Sequence, residues 1–359
     1  MLKDRIASFW GEVEKPLSSK DLRTYASMPA SVQRVSQDIL KWRNAVKQAE
    51  DQWNPSRTSL VSLYNDVILD GHVYACIQKR QNLTLKKSFC IENKDGKENE
   101  ELTAIFKQRW FYDMQCFILD AVMFGYSVIN WTEIDNGKIK GLRIVRRDKI
   151  NIDLRIITNF IGSRTGKSLD DEDVKDWNLT VTTTDRLGYT ECDYGLLYKV
   201  GIYQIFSRNN LGYNAEFVEK FIMPFVVART SKTTEEEREE LEKGIASMAS
   251  SNSVLLDPMD EIEFIESKNA GTGYNSFDNF ENRCEKKISK IILGHADAID
   301  SVTGKLGATG GDDAVSESIE DIEVHDNSFC EYVINDTLFD KLRNIGMPIP
   351  DDAVFKYKN

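Results

Sequence analysis

A chain of 359 residues, 41% apolar and 29% charged with 21 Gly and 7 Pro, has the make-up of a folded protein of two or three structural units, not of a disordered chain or one small module. Its 46 basic and 58 acidic residues leave a net charge of −12, which argues against wrapping a phosphate backbone over a basic surface, though not against letting DNA slide past. Six cysteines without a Cys-x-x-Cys pair indicate neither a zinc module nor a disulfide framework, and the longest apolar stretch, Phe221 to Ala228, is far short of the roughly 20 residues that span a bilayer, so neither signal peptide nor membrane anchor is expected.

Residues 1–55 carry breakers at Pro16, Pro29 and Pro55 and read as a peripheral, mostly helical arm. From Leu60, the positions Leu63, Tyr64, Val67 and Ile68 recur at helical spacing, and the polar run Lys79-Arg80-Gln81-Asn82 precedes an extended stretch. A second helix is expected from Glu100 to Phe124, ended by Gly125. The run Tyr126–Ile134, the turn Asp135-Asn136-Gly137 and the run Lys138–Val145 form a β-hairpin pattern. Several short β-like runs follow, including Ile150–Ile157, Leu179–Thr184 and Leu197–Phe206.

Phe221–Ala228 reads as an edge strand because Pro224 cannot donate to a ladder. Thr233-Thr234-Glu235-Glu236-Glu237 has capping-box spacing for a helix to about Ala249, and Val254–Leu256 with Ile262–Ile265 reads as a strand pair. Tyr274, Phe277, Phe280, Cys284, Ile288 and Ile291 lay one apolar stripe along a long helix. Asp300–Asp313, with four glycines, loses too much entropy on ordering to be an element interior and reads as a loop. A last helix from Val315 to Ile345 keeps Ile319, Ile322, Cys330, Val333, Leu338 and Leu342 on one side; Gly346 and Pro348 stop it, and residues 349–357 could add a strand.

Two motifs point to nucleotide chemistry. Gly162-Ser-Arg-Thr-Gly166-Lys167-Ser168 resembles a phosphate-binding loop but has three residues between its glycines where four are needed, so a basic β-turn is the preferred reading. Gly311-Asp312-Asp313 resembles a polymerase metal turn, yet it opens a helix, whose dipole the two carboxylates favour. His72, His295 and His325 share no ligand spacing, so no metal site and no cofactor are expected. Between Asp297 and Asp326 nine acids face one base, Lys305, a run that is either a solvated face or a wall repelling phosphates.

The order of these pieces is informative. A helix runs into Ile118-Leu-Asp-Ala-Val-Met-Phe-Gly-Tyr-Ser-Val-Ile-Asn-Trp131, then come a hairpin, a strand-helix-strand unit, a long helix closing on Lys290-Ile-Ile-Leu-Gly-His295, a Gly-rich loop and another long helix. Over residues 60–357 this order resembles tailed-phage portal proteins, closest to the Mu-like portal family.

The resemblance implies an α+β portal fold with wing, stem and clip regions and a crown that is minimal or absent. It implies a homo-oligomeric ring, usually dodecameric, at one capsid vertex, through which DNA is packaged and ejected. Carried over by position, 1–55 is the arm, 56–191 the wing, 192–220 a first stem segment, 221–267 the clip, 268–298 the second stem helix, 299–313 the tunnel loop and 314–359 the helix and strand returning to the wing. Thr303, Lys305, Asp312 and Asp313 would then face DNA in the tunnel, Lys286, Lys287 and Lys290 the stem channel, and Arg229, Lys232, Glu235 and Arg238 the terminase and adaptor. The implied partners are further copies of the chain, the major capsid protein, the terminase large subunit, a head-tail adaptor and double-stranded DNA, with no membrane. The virion is the implied location, with the host cytoplasm during assembly, and no catalytic residue is implied. The alternatives are a nucleotide-binding enzyme and a minor capsid or adaptor protein.

Overall fold

The computed structural model describes residues 30–135, 138–158, 166–172, 174–186, 188, 190–217, 225–229, 261–265, 270–296 and 311–358, with Thr234, Glu236, Glu239 and Lys243 as isolated positions. In chain order the elements are α1 (Ala30–Ala49), α2 (Thr58–Ile68), α3 (Gly71–Leu85), β1 (Phe89–Glu92), α4 (Glu100–Phe106), α5 (Arg109–Phe124), β2 (Tyr126–Asn130), β3 (Glu133–Asp135), β4 (Lys138–Lys140), β5 (Arg143–Ile144), β6 (Ile150–Asn151), β7 (Ile156–Ile157), β8 (Lys167–Ser168), β9 (Asn178–Thr182) and α6 (Gly195–Phe217). They continue with β10 (Phe225–Arg229), β11 (Glu261–Ile265), α7 (Ala270–Leu293), α8 (Gly311–Val333), a π-helical turn at Ile334–Leu338, α9 (Phe339–Asn344) and β12 (Val354–Tyr357). The chain divides into two units, Met1–Asn209 with Asn282–Asn359, and Asn210–Glu281.

Helix α5 organises the larger unit. Phe111, Met114 and Ile118 on one face join Phe106 of α4, Phe355 of β12 and Phe339 of α9 in the first core, where aromatic rings meet edge-on at 4.9 to 5.5 Å. Its last turn, Val122–Phe124, belongs to a second core with Tyr64 of α2, Cys76 of α3, Val200 of α6 and Ile292 of α7. Strand β2 follows directly and is buried on both faces: Tyr126 and Val128 point to a third small core, Ile129 to the first. It is the central strand between β5 and β9, both antiparallel. The expected hairpin forms in one register, with Ile129 opposite Ile144, Glu133 opposite Lys140 and Asp135 opposite Lys138.

Gly125 ends α5 in the left-handed region at φ +88, and Gly195 opens α6 at φ +76. The two ends meet so closely that a Cβ on Gly125 would stand 1.9 Å from the Asp193 carbonyl oxygen, and one on Gly195 2.3 Å from that of Met123.

Several expectations change. The arm over 1–55 is not peripheral in its last part: Trp42, Ala45 and Ala49 are buried, and the Trp42 ring stacks on Tyr198 at 5.8 Å. Leu197–Phe206 is helix, not strand. Its burial recurs at Leu197, Val200, Gln204 and Ser207, a helical interval that buried polar side chains hide from a reading of hydropathy alone. The single helix expected over Glu100–Phe124 breaks at Lys107-Gln108, and the run from Leu60 breaks before Asp70, whose carboxylate accepts from the Val73 amide at 3.0 Å to cap α3. The polar run Lys79–Asn82 lies inside α3, with Arg80 and Gln81 buried.

The C-terminal strand forms as expected, pairing antiparallel with β1 from Phe89 opposite Tyr357 to Glu92 opposite Val354. Its other edge is closed by side chains. The Phe355 amide donates to Asn335 Oδ1 at 2.8 Å, Asn335 Nδ2 donates to the Phe355 carbonyl at 3.0 Å, and the Tyr357 amide donates to Glu331 at 2.8 Å. Asn335 sits in the π-helical turn, which aims it at the strand.

In the smaller unit β10 and β11 pair antiparallel, Phe225 opposite Ile265 and Arg229 opposite Glu261. Ile262–Ile265 therefore pairs with Phe225–Ala228; Val254–Leu256, its expected partner, lies outside the described residues. Asn210 Nδ2 of α6 donates to the Phe277 carbonyl of α7 at 2.9 Å, and the rings of Phe217 and Phe277 stand 5.4 Å apart.

Candidate functional site

The region around the Gly-rich segment is built from α7 and α8, which flank it. Apolar spacing makes α7 a helix, with Cys284, Ile288 and Ile292 buried, and Gly294 at φ +75 ends it. A Cβ on Gly294 would stand 3.1 Å from Ile322 Cδ1 and 3.5 Å from Ser318 Cβ, so the end of α7 lies directly on α8. Helix α8 begins at Gly311, which puts Asp312 and Asp313 in its first turn, a place where the helix dipole favours acidic residues.

One buried side chain locks this junction. Arg80 of α3 donates through Nε and Nη2 to the two oxygens of Asp326 of α8 at 2.7 and 2.8 Å, and through Nη1 to the Ile292 carbonyl at the end of α7 at 2.9 Å. Arg80 is 7% and Asp326 2% exposed, so the guanidinium fork joins three helices in a site nearly shielded from water. His72 of α3 adds a contact one turn away, its Nε2 2.8 Å from Ser289 Oγ.

Asp326 is therefore not part of an acidic wall, contrary to its place in the sequence run. Glu323 is also engaged, with Lys87 at 2.7 Å and Lys86 at 3.8 Å. Glu317, Glu320 and Asp321 are exposed. Neither Arg80 nor Asp326 stood out as functional in the sequence, yet each carries a signal: Arg80 falls on the stripe of Val73, Ile77 and Leu83, and Asp326 lies four residues from both Ile322 and Cys330.

Lys286, Lys287 and Lys290 are exposed on α7, and the Lys287 ammonium lies 4.9 Å from the centre of the Tyr203 ring. Arg229 stands in β10 opposite Glu261. Thr303, Lys305, Lys232, Glu235 and Arg238 lie outside the described residues.

The nucleotide motifs do not meet their geometric requirements. Gly166-Lys167-Ser168 leads into strand β8, paired with β7, where a phosphate loop must open a helix; Lys167 is 3.1 Å from Asp171. Gly311-Asp312-Asp313 opens a helix where a polymerase turn joins strands. A cleft of about 750 Å³ beside α1 is lined by Glu50, Asp51, Asp153 and Glu191, a charge that repels phosphate. Burial pushes the Cys116 thiol up to about 11 and the Cys192 thiol to about 12, so neither offers a thiolate at neutral pH. Among the described residues no group of three His, Cys, Asp or Glu is placed to hold a metal ion, and no helix is long and apolar enough to cross a membrane.

The family model described as the portal protein of Mu bacteriophage matches residues 61–358. The chain belongs to the Mu bacteriophage portal family. Nothing among curated proteins matches it. Among solved structures, a chain in the neck of an empty gene transfer agent particle, computed with C6 symmetry, is similar over 85% of this chain and 85% of its own, at 9% identity and TM-score 0.57. A chain in the virion of a native gene transfer agent particle matches over the same shares at 10% identity and TM-score 0.53. An HK97-family phage portal protein from Corynebacterium diphtheriae matches over 82% of this chain and 94% of its own, at 12% identity and TM-score 0.46. The α+β portal fold expected from the order of elements is the fold of this chain. With the portal family comes its role, a ring at one vertex of the capsid, in a family that is generally structural.

Proposed function

We propose that the protein assembles with copies of itself into a dodecameric ring at the portal vertex. Double-stranded DNA would enter through it under the terminase and leave toward a head-tail adaptor, without catalysis by the portal itself. The observation that carries this reading is the pair α7 and α8, locked together at Arg80 on either side of a Gly-rich segment, in a chain that matches the portal family over 61–358.

In this reading 56–191 is the wing, 192–220 and 268–298 the stem, 221–267 the clip and 299–313 the tunnel loop, with 314–359 returning to the wing. Thr303, Lys305, Asp312 and Asp313 meet the DNA, and a single base among acids suits a channel that must not hold phosphates, since each neutralised phosphate releases counterions and makes sliding sticky. Arg229, Lys232, Glu235 and Arg238 meet the terminase and the adaptor. During assembly the protein is in the host cytoplasm, with the major capsid protein among its partners.

The test is electron microscopy of the purified chain, alone and co-expressed with its capsid protein, with mass from light scattering. Rings with a central hole wide enough for duplex DNA are expected; a monomer under both conditions overturns the reading. Lys305→Ala in assembled particles is expected to change packaging rate or DNA retention, and unchanged packaging would remove the DNA-contact role of Lys305.

A further inference from the structure

A ring closes by heterologous contacts, in which one face of each copy meets a different face of the next. Two helix faces of this chain are matched for such a contact. On α7, Arg283, Lys286, Lys287 and Lys290 stand at i, i+3, i+4 and i+7, which places them on one stripe, and all four are exposed. This stripe is separate from the buried one of Cys284, Ile288 and Ile292. On α8, Glu317, Glu320, Asp321 and Val324 repeat the same spacing and are exposed, Val324 by 63%. Glu317, Glu320 and Asp321 form no ion pair with any described residue.

The chain thus carries two exposed helical stripes of equal length and opposite charge, the acidic one with an uncovered valine. We propose that the basic stripe of α7 receives the acidic stripe of α8 from the adjacent copy, an assignment that rests on the ring reading above. The charges set the register of the two helices, and the aliphatic stems of the lysines cover Val324. The resemblance to portal proteins assigned Lys286, Lys287 and Lys290 to the channel instead. A channel face with this stripe repeated in every copy would bind phosphates and retard DNA, which a chain of net charge −12 is otherwise built to avoid.

Charge exchange tests the contact in the full-length chain. The variants are K286E/K290E, E317K/D321K and the four-fold combination, each assayed for ring assembly by electron microscopy and mass at about 0.15 M salt. Each double variant is expected to lower the ring fraction about tenfold or more, and the four-fold variant to restore it. Melting should change little, because the altered side chains are exposed, although Lys286 has a contact within the chain and Lys290 lies in the last turn of α7. Double variants that assemble like wild type overturn the proposal, as does a four-fold variant that stays apart. Normal rings of K286E/K290E with altered DNA transit would return those lysines to the channel. A wild-type chain that never forms rings is a separate failure, that of the portal reading itself.

Discussion

Two buried arginines hold two different kinds of region. Arg80 works among finished helices: it satisfies one end carbonyl, that of Ile292, and otherwise its fork adds position, deciding where α3, α7 and α8 stand relative to one another. Arg57 works among turns and strand ends. It grips Asp153 at 3.0 and 3.2 Å, donates to the carbonyls of Cys192 at 2.9 Å and Asp193 at 3.1 Å, and lies 4.5 Å from the centre of the Tyr194 ring. There the fork does the work of missing secondary structure, satisfying carbonyls that no ladder reaches. The same side chain therefore aligns finished elements in one place and completes an unfinished one in the other.

The largest effect should come from the helical region. Arg80→Ala leaves the Asp326 carboxylate buried without its partner and should cost about 3–5 kcal/mol in denaturant unfolding, whereas Arg80→Met with Asp326→Leu should recover most of that. A small loss in the single variant would mean that packing alone aligns the three helices. Next comes the junction of α5 and α6. Gly195→Ala forces a Cβ against the backbone at Met123 in a left-handed conformation, and a loss of order 1–3 kcal/mol in thermal unfolding is expected.

Arg57→Lys keeps the charge but loses the fork; the Cys192 carbonyl keeps the Thr190 hydroxyl, the Asp193 carbonyl loses its arginine, and the change should cost about 1–3 kcal/mol. Hydrogen exchange should rise at residues 151–155 and 190–194 and not in α3; a rise in α3 would erase the distinction between the two regions. The smallest effect is that of pH. Hydrogen bonds from Arg146 and Arg155 hold the Asp148 and Asp170 carboxyls below their ordinary value of 3.8. A lowered folded pKa stabilises fully above the unfolded value and is lost as pH falls through the folded one. Stability from these pairs should thus be flat from about pH 5 to 7 and decline below about pH 4. Both carboxylates are partly open to water, so the decline should be slight and weaker still in high salt.

Much of the helical frame was legible because amphipathic stripes of Ile, Leu and Phe state which face is inward, as in α7 and α8. Gly125 and Gly346 announced two helix ends correctly, since the left-handed conformation there suits glycine. Helix α6 was not legible: its apolar and aromatic residues run almost continuously while Gln204, Ser207, Asn209 and Asn210 are buried, so neither period stands out. Strand β2 was half legible: its hairpin partner β5 was expected, but its other partner was hidden for a different reason. Its pairing with β9 joins positions about 50 residues apart, and local pattern carries no information about that distance. At the candidate site the lysines and acids were legible as charges but not by role: a count of acids treats Asp326 and Glu320 alike, although position on the helix buries Asp326 and leaves Glu320 in water.

The lock at the ends of α7 and α8 bears on how far the segment between them can vary. With Ile292 and Asp326 tied to one arginine and Gly294 lying on Ser318, the two anchor points are fixed by the framework and not by the connecting residues. Closing a longer connection between fixed anchors costs only about 0.6 kcal/mol per doubling of length. Insertions and deletions between Gly294 and Gly311 are therefore expected to cost folding little, so the length of that segment is set by something other than the stability of the framework.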